Sequence, residues 1–322
     1  MPAVVAAPIA STPTGPAPLA RATPTATATP PQVMLALLAV YVIWGSTYLV
    51  MRWAVVELPP MLMGSIRFSV AGTILYAIAR LRGAPAPTAR HWLNGLAVGG
   101  LLFVGGNGLV AIAERSVSSG VAAVVCATMP LWLALFAWGA GERPTGREWL
   151  GQLLGLAGVA VLVGDQLGTA APLDTIVIVF APISWAAGSM LSKRVAIAPG
   201  MMGAATEMIG GSVLMALVGL SLGERIHAVS WEAIGAMAYL IGLGSLIGFT
   251  AYAWLLQHTR PAVATSYAFV NPPIAVMFGI LLGGEPAGWP LAVATPLIVA
   301  SVVLVVLTKA RRAPAAATTT TT

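Results

Sequence analysis

The chain has 322 residues, 58% of them hydrophobic and 8% charged, with a formal net charge of +6. A water-soluble domain carries about 25% charged residues, so the composition excludes a soluble globule and points to a membrane protein. The basic residues lie scattered between apolar runs and form no patch, which excludes nucleic acid as the reason for the positive balance.

In chain order, residues 1–31 are an Ala/Pro/Thr-rich stretch ending ARATPTATATPP. It lacks the cationic start and compact apolar core of a cleaved signal peptide. It is expected to be disordered, as is the tail at 309–322 that ends AAATTTTT. Between the tails, apolar runs fall at about 33–51, 60–79, 92–113, 119–140, 147–163, 173–191, 200–220, 232–254, 261–283 and 288–308. Each has roughly the 17–23 residues that a helix needs to cross hydrocarbon. The pattern predicts an all-α polytopic membrane protein with ten transmembrane helices and short loops. Cys126, the single cysteine, sits in the fourth run and reads as a small core residue.

Loop charges give a direction. With the N-terminus in the cytoplasm, twelve bases from Arg21 to Arg312 face the cytoplasm, and Arg52, Arg115 and Arg225 face the other side. That is the positive-inside pattern, so both termini are expected to be cytoplasmic.

The chain also repeats itself. A shift of 143 residues aligns ATMPLWLALFAWGAGE (127–142) with VNPPIAVMFGILLGGE (270–285), bringing Pro130 onto Pro273 and Glu142 onto Glu285. At a slightly different offset, WGSTYLVMR (44–52) resembles WAAGSMLSK (185–193). The halves are expected at 32–168 and 169–308, with five spans each. An odd number of spans inverts the second half, and inverted repeats are a signature of secondary transporters with a site near the midplane.

Several motifs stand in order along the spans: WGSTYL, RFSVAG, GGNGLVAIAE, SSGVAAVVCATMP, then ATSYAFVNPPIAV and GGE. Together they resemble the drug/metabolite transporter superfamily, and within it the ten-helix EamA-type permeases of YedA type. The resemblance covers roughly residues 33–308. It implies two inverted five-helix halves and a central cavity formed mainly by spans 3, 4, 8 and 9. It also implies export of small metabolites, amino-acid-like compounds or drugs across the inner membrane, without ATP.

Candidate residues follow. Asn271 with Pro272 and Pro273 puts an amide and two helix breakers inside a span. Proline removes a backbone donor and frees carbonyls in the preceding turn, which would offer a polar site. The alternative is a packing kink with Asn271 bonded to a neighbouring helix. Tyr267 lies one turn earlier on the same side as Asn271, and Pro130 is the repeat-related proline. Asn107, within GGNG, and its counterpart Thr250 form either a paired polar site or helix-packing contacts. Trp44, Tyr48 and Trp185 form either an aromatic wall or packing aromatics. Glu207 and Arg67 are ionisable residues well inside spans, where a charge costs roughly 2.5–3.5 kcal/mol on insertion scales. They are expected either to pair with each other or to leave Glu207 as a proton carrier. Glu114 with Arg115, and Glu142 with Arg143, read as solvated anchors at span ends.

No Gly-Lys-Ser/Thr phosphate loop exists in the chain, so no ATPase chemistry is built in. The three histidines, His91, His227 and His258, show no zinc-protease spacing, and no G-x-S-x-G elbow occurs, which argues against an enzyme. No metal and no cofactor is implied. The expected partners are a small-molecule substrate and the lipid bilayer, with monomer or homodimer open. A passive channel for small solutes is the alternative to a carrier.

Overall fold

The structure is a computed structural model that describes residues 29–312 except 140, 142–144, 170, 260 and 265. Its described residues form ten consecutive helical rods and no strand. These are α1 (Pro30–Ala54), α2 (Pro60–Leu81), α3 (Ala89–Ala113), α4 (Ser119–Gly139) and α5 (Gly146–Thr169) in the first half. The second half holds α6 (Pro172–Ser192), α7 (Met201–Ser221), α8 (Trp231–Leu255), α9 (Tyr267–Gly283) and α10 (Trp289–Arg312). Helix α8 continues to His258, and a short turn, Pro261–Ala264, precedes α9. The ten-span expectation therefore holds. Seven rods are long and apolar enough to cross a membrane as they stand, and Val270–Gly283 and Trp289–Leu304 are shorter apolar helices. Residues 1–28 and 313–322, which make up most of the two expected tails, lie outside the described residues.

The rods start and stop where local chemistry dictates. Prolines occupy the first turn of α1, α2 and α6, where the missing N–H has no helical partner to lose. Thr88, Ser118 and Ser230 cap α3, α4 and α8 by accepting from backbone N–H groups of the first turn. Gly284, at φ +63°, closes α9 in the left-handed conformation that glycine adopts without strain.

A rod of about 20 residues is some 30 Å long, and the links between rods are too short to run back along one. Successive rods must therefore alternate in direction. Let the near end be the one where α1 begins, and the far end its opposite. The odd-numbered rods then rise and the even-numbered rods return.

Packing repeats with the inverted symmetry. Counterpart helices pack against each other: α2 with α7, α4 with α9 and α5 with α10. Helix α1 packs on α8 and α9, and its counterpart α6 packs on α3 and α4. Small residues allow the closest crossings. A Cβ on Gly99 of α3 would overlap the Glu207 carbonyl of α7, and Gly155 and Gly158 of α5 lie against Leu131, Ile298 and Ser301.

Two rods depart from α geometry. Residues Gly100–Gly108 of α3 and Leu240–Ile247 of α8 are π-helical, at corresponding places in the two halves. Such wide turns are rare and are frequent at functional sites.

Candidate functional site

The π segments organise the middle of the molecule. Trp44, in mid-α1, donates from Nε1 to the Gly244 carbonyl of the α8 π segment at 3.1 Å. Its indole lies so close over Gly248 that a Cβ there would overlap it. In the inverted half, α6 does the same to the π segment of α3. Ser184 donates to the Leu101 carbonyl at 2.8 Å, and the Trp185 ring lies 3.5 Å from where a Cβ on Gly106 would sit. Trp44 and Trp185, matched in the sequence, are thus matched in space.

The two copies differ in their surroundings. Trp44 joins a four-ring cluster, with ring centroids 5.3 Å from Phe249, 5.3 Å from Tyr252 and 4.9 Å from Tyr267. Tyr252 and Tyr267 themselves sit edge to face at 5.4 Å, a favourable geometry for aromatic rings. Among the described residues, Trp185 has no such ring partner.

Asn107 and Thr250 serve the π segments directly. Asn107 donates from Nδ2 to the Leu102 carbonyl at 3.4 Å, and Thr250 donates from Oγ1 to the Leu246 carbonyl at 2.6 Å. Each takes up a carbonyl of its own helix in the widened turn. Asn107 is half-buried and Thr250 is exposed, so the structure does not bring them together as one site.

Helix α9 differs from the sequence expectation in an informative way. It stays helical through Pro272 and Pro273. The interruption comes earlier, between the Pro261–Ala264 turn and Tyr267. Similarly, α4 breaks at Ala127–Thr128, just before Pro130, which is half-buried near the start of the second segment. Pro272 is buried and Pro273 exposed. Asn271 is 7% exposed, and among the described residues its side-chain oxygen Oδ1 has no hydrogen-bond partner. It lies one turn toward the far end from Tyr267. Its backbone carbonyl faces Gly45, next to Trp44. A buried amide acceptor left unpaired is costly and is available to a donor from outside the protein.

Arg67 and Glu207 do not pair. Both lie about two turns into their rods, but α2 descends from the far end and α7 rises from the near end, so they sit in opposite halves of the bilayer. Arg67 is 5% exposed, donates from Nε to Ser245 Oγ at 2.9 Å and lies over the Phe68 ring at 4.9 Å. Glu207 is half-buried, with no hydrogen bond or ion pair among the described residues.

Above the aromatic cluster, Trp44, Tyr48 and Arg52 form a stripe at four-residue spacing along α1. Tyr48 lies beside the Cys126 thiol. At the far end, the Glu285 carboxylate accepts from Arg52 Nη1 at 2.6 Å and from the Ser119 and Gly120 backbone N–H groups at 2.8 and 3.1 Å. One carboxylate thereby ties the ends of α1, α4 and α9 together, seated on the α4 N-terminus where the helix dipole favours an anion. Burial pushes the Glu285 carboxyl up, but those hydrogen bonds and the Arg52 charge prevail and hold it below the usual carboxylate range. Its repeat counterpart Glu142 and the neighbouring Arg143 lie outside the described residues.

Glu114 corrects the sequence reading. Rather than a solvated anchor, it is 1% exposed, and among the described residues neither carboxyl oxygen has a hydrogen-bond partner. Arg115 next to it points elsewhere, to Asp174 at 3.4 Å. Position at a span end beside an arginine suggested solvent. What covers Glu114 is tertiary packing, for which the sequence holds no local signal.

The chain matches the EamA-like transporter family twice, over residues 31–164 and 174–307. It is 42% identical over 276 residues to the inner membrane transporter YedA of Escherichia coli (strain K12), covering 85% of this chain and 90% of that one. It is 26% identical over 280 residues to the aromatic amino acid exporter YddG of Ancylobacter novellus, covering 79% and 90%. A solved crystal structure that is 22% identical shares the fold, with a TM-score of 0.61 over 89% of this chain and 100% of that one. Two family matches that together span most of the chain, laid on two inverted bundles, lead to one conclusion: the chain belongs to the EamA-like transporter family and is a multi-pass inner-membrane transporter.

Proposed function

We propose that the protein is a secondary carrier that exports small amphipathic metabolites, aromatic or amino-acid-like in character, by alternating access, with both termini in the cytoplasm. The excess of basic residues at the near end supports the orientation. The observation that carries the substrate class is the meeting of Trp44, Tyr252 and Tyr267 from three helices near the Asn271 Oδ1, which has no partner among the described residues. Rings suit an apolar or aromatic body, and an open acceptor suits a polar donor on it, the pattern of a small-molecule site. The YddG relative is named for aromatic amino acid export, which points the same way.

In this reading the two halves rock about the π segments, exposing the site first to the cytoplasm and then to the far side. The contacts at the far end are those that must open and close.

The test is counterflow in proteoliposomes preloaded with unlabelled phenylalanine or tryptophan. A carrier accumulates the labelled compound transiently and saturably. Flux that is linear in concentration and lacks counterflow would instead favour a passive channel and would refute alternating access.

A further inference from the structure

At the far end, a second, buried acid group lies near enough to the Glu285 contact to feel its charge. Glu114 follows the last turn of α3, and its backbone N–H donates to Val110 in helical fashion at 2.9 Å. Its carboxyl is buried, and among the described residues its charge would act on Tyr48 and Arg52 of α1, Arg67 of α2, Cys126 of α4 and Glu285 beyond α9. From α6, Asp174 faces the adjoining residues Arg115 and Ser116 rather than Glu114. The two cations are already engaged, Arg52 with Glu285 and Arg67 with Ser245. Among the described residues, no N–H or O–H donates to either Glu114 oxygen.

A bare carboxylate in such a place would lack water, hydrogen bonds and an ion-pair partner together, and each lack disfavours charge. The neutral acid is the form that fits. At the same end of the molecule, Glu285 holds Arg52 and the α4 N-terminus together. Opening the far end must separate α9 from α1 and α4. That breaks the Glu285 contact, admits water to Glu114 and frees Arg52 to face it.

We propose that Glu114 is a proton-binding site that locks the far end, neutral while Glu285 holds α1 and α4 together and ionised once that contact opens. On opening, the carboxylic O–H breaks heterolytically. The proton goes to water at the far side and the carboxylate stays, facing Arg52 and Arg67. Closing requires a proton to return. Acid at the far side therefore favours the closed arrangement, and one proton is linked to each opening. The direction of this linkage, outward to the far side, rests on the transporter reading above. The proton site itself does not.

The experiment needs no substrate. In purified, reconstituted protein, the carbonyl stretch of a protonated carboxylic acid is recorded by infrared difference spectroscopy. In parallel, labelling of Cys126 by N-ethylmaleimide is followed against pH, since this buried thiol of α4 feels the Glu114 charge and, on this proposal, becomes accessible when the far end opens. Thiolate formation alone raises the rate about tenfold per pH unit. E114Q should lose one carbonyl band relative to wild type, leaving any band of Glu207, and show only that slope, whereas the wild type adds a second proton and is steeper. E114D, which retains an acid, should shift the band and restore the steeper slope. The proposal is overturned if the E114Q spectrum lacks no band that the wild type shows, or if E114Q and wild type share one slope. Neither readout depends on finding a transported compound, so a failed counterflow assay leaves this result to stand or fall by itself.

Discussion

Replacing Glu285 should weaken the bundle more than replacing the arginine it binds. In E285A, two backbone N–H groups at the α4 N-terminus lose a charged acceptor held at 2.8 and 3.1 Å. Hydrogen bonds to a charged group contribute about 1.5–3 kcal/mol each, so the loss is about 3–5 kcal/mol after partial recovery by water. The Arg52 contact is short, but the arginine side chain is 34% exposed. An ion pair open to water contributes about 1 kcal/mol or less, so R52A should cost no more than that. E285Q keeps the shape and one acceptor oxygen but loses the charge, and belongs between them at about 1–2 kcal/mol. Thermal unfolding midpoints in detergent should therefore fall in the order R52A, E285Q, E285A. If R52A is as damaging as E285A, the carboxylate acts through the ion pair, and the capping argument is wrong. The pH dependence gives a second check. Glu285 is held below its unfolded value, so its stabilisation is complete above the unfolded pKa of about 4.3 and is lost as the pH falls through the lower folded value. The gap between wild type and E285Q should thus be widest near neutrality and close below about pH 4.

Other consequences can be measured on the same preparations. Trp44→Phe keeps an aromatic ring among Phe249, Tyr252 and Tyr267 but loses the bond to the Gly244 carbonyl; it should retain counterflow with roughly a tenfold higher half-saturation, worth about 1.4 kcal/mol. Gly248→Ala pushes a methyl group into the indole of Trp44 and should lower stability by about 1–3 kcal/mol, with the loss relieved in the Trp44→Leu background. Arg67→Met removes the Ser245 bond and a buried cation that has no carboxylate partner among the described residues. Since replacing buried charges by apolar groups is often neutral, its unfolding midpoint should lie within a few degrees of wild type; a collapse of folding would show that Arg67 is paired more strongly than its one side-chain bond indicates.

The ten rods were legible because each is an apolar run of the length a bilayer demands, and the inverted halves because the Pro130 and Pro273 segments align. The places where helices deviate were not. Pro272 and Pro273 marked a break that does not occur, since a helix can lose two donors and keep its path when its neighbours hold it. The true departures lie in GGNG and LGSL, glycine-rich stretches whose π geometry depends on what packs against them, Trp185 and Ser184 in one case and Trp44 in the other. The aromatic wall was half visible: Trp44 stood out, while Phe249 and Tyr252 looked like ordinary span residues until α8 was set beside α1. Glu114 was misread for the reason that Arg67 and Glu207 were brought together, namely that distance along a span says nothing about which neighbours close over it.

The π segments have a bearing on how such a chain can change. Each wide turn spends more residues per revolution than an α turn, so everything after it is rotated relative to everything before. On α3 the residues beyond the segment end in Glu114, and on α8 they include Phe249 and Tyr252. If either segment relaxed to α geometry at its present length, the residues beyond it would rotate around the helix axis, because α turns advance about 100° per residue and the wider turns less. Tyr252 would then leave Trp44, and Glu114 would face different neighbours. Removing one residue together with that relaxation would largely restore the phase. The spacing of these two stretches and their wide turns thus together set the rotational phase of the chemistry beyond them.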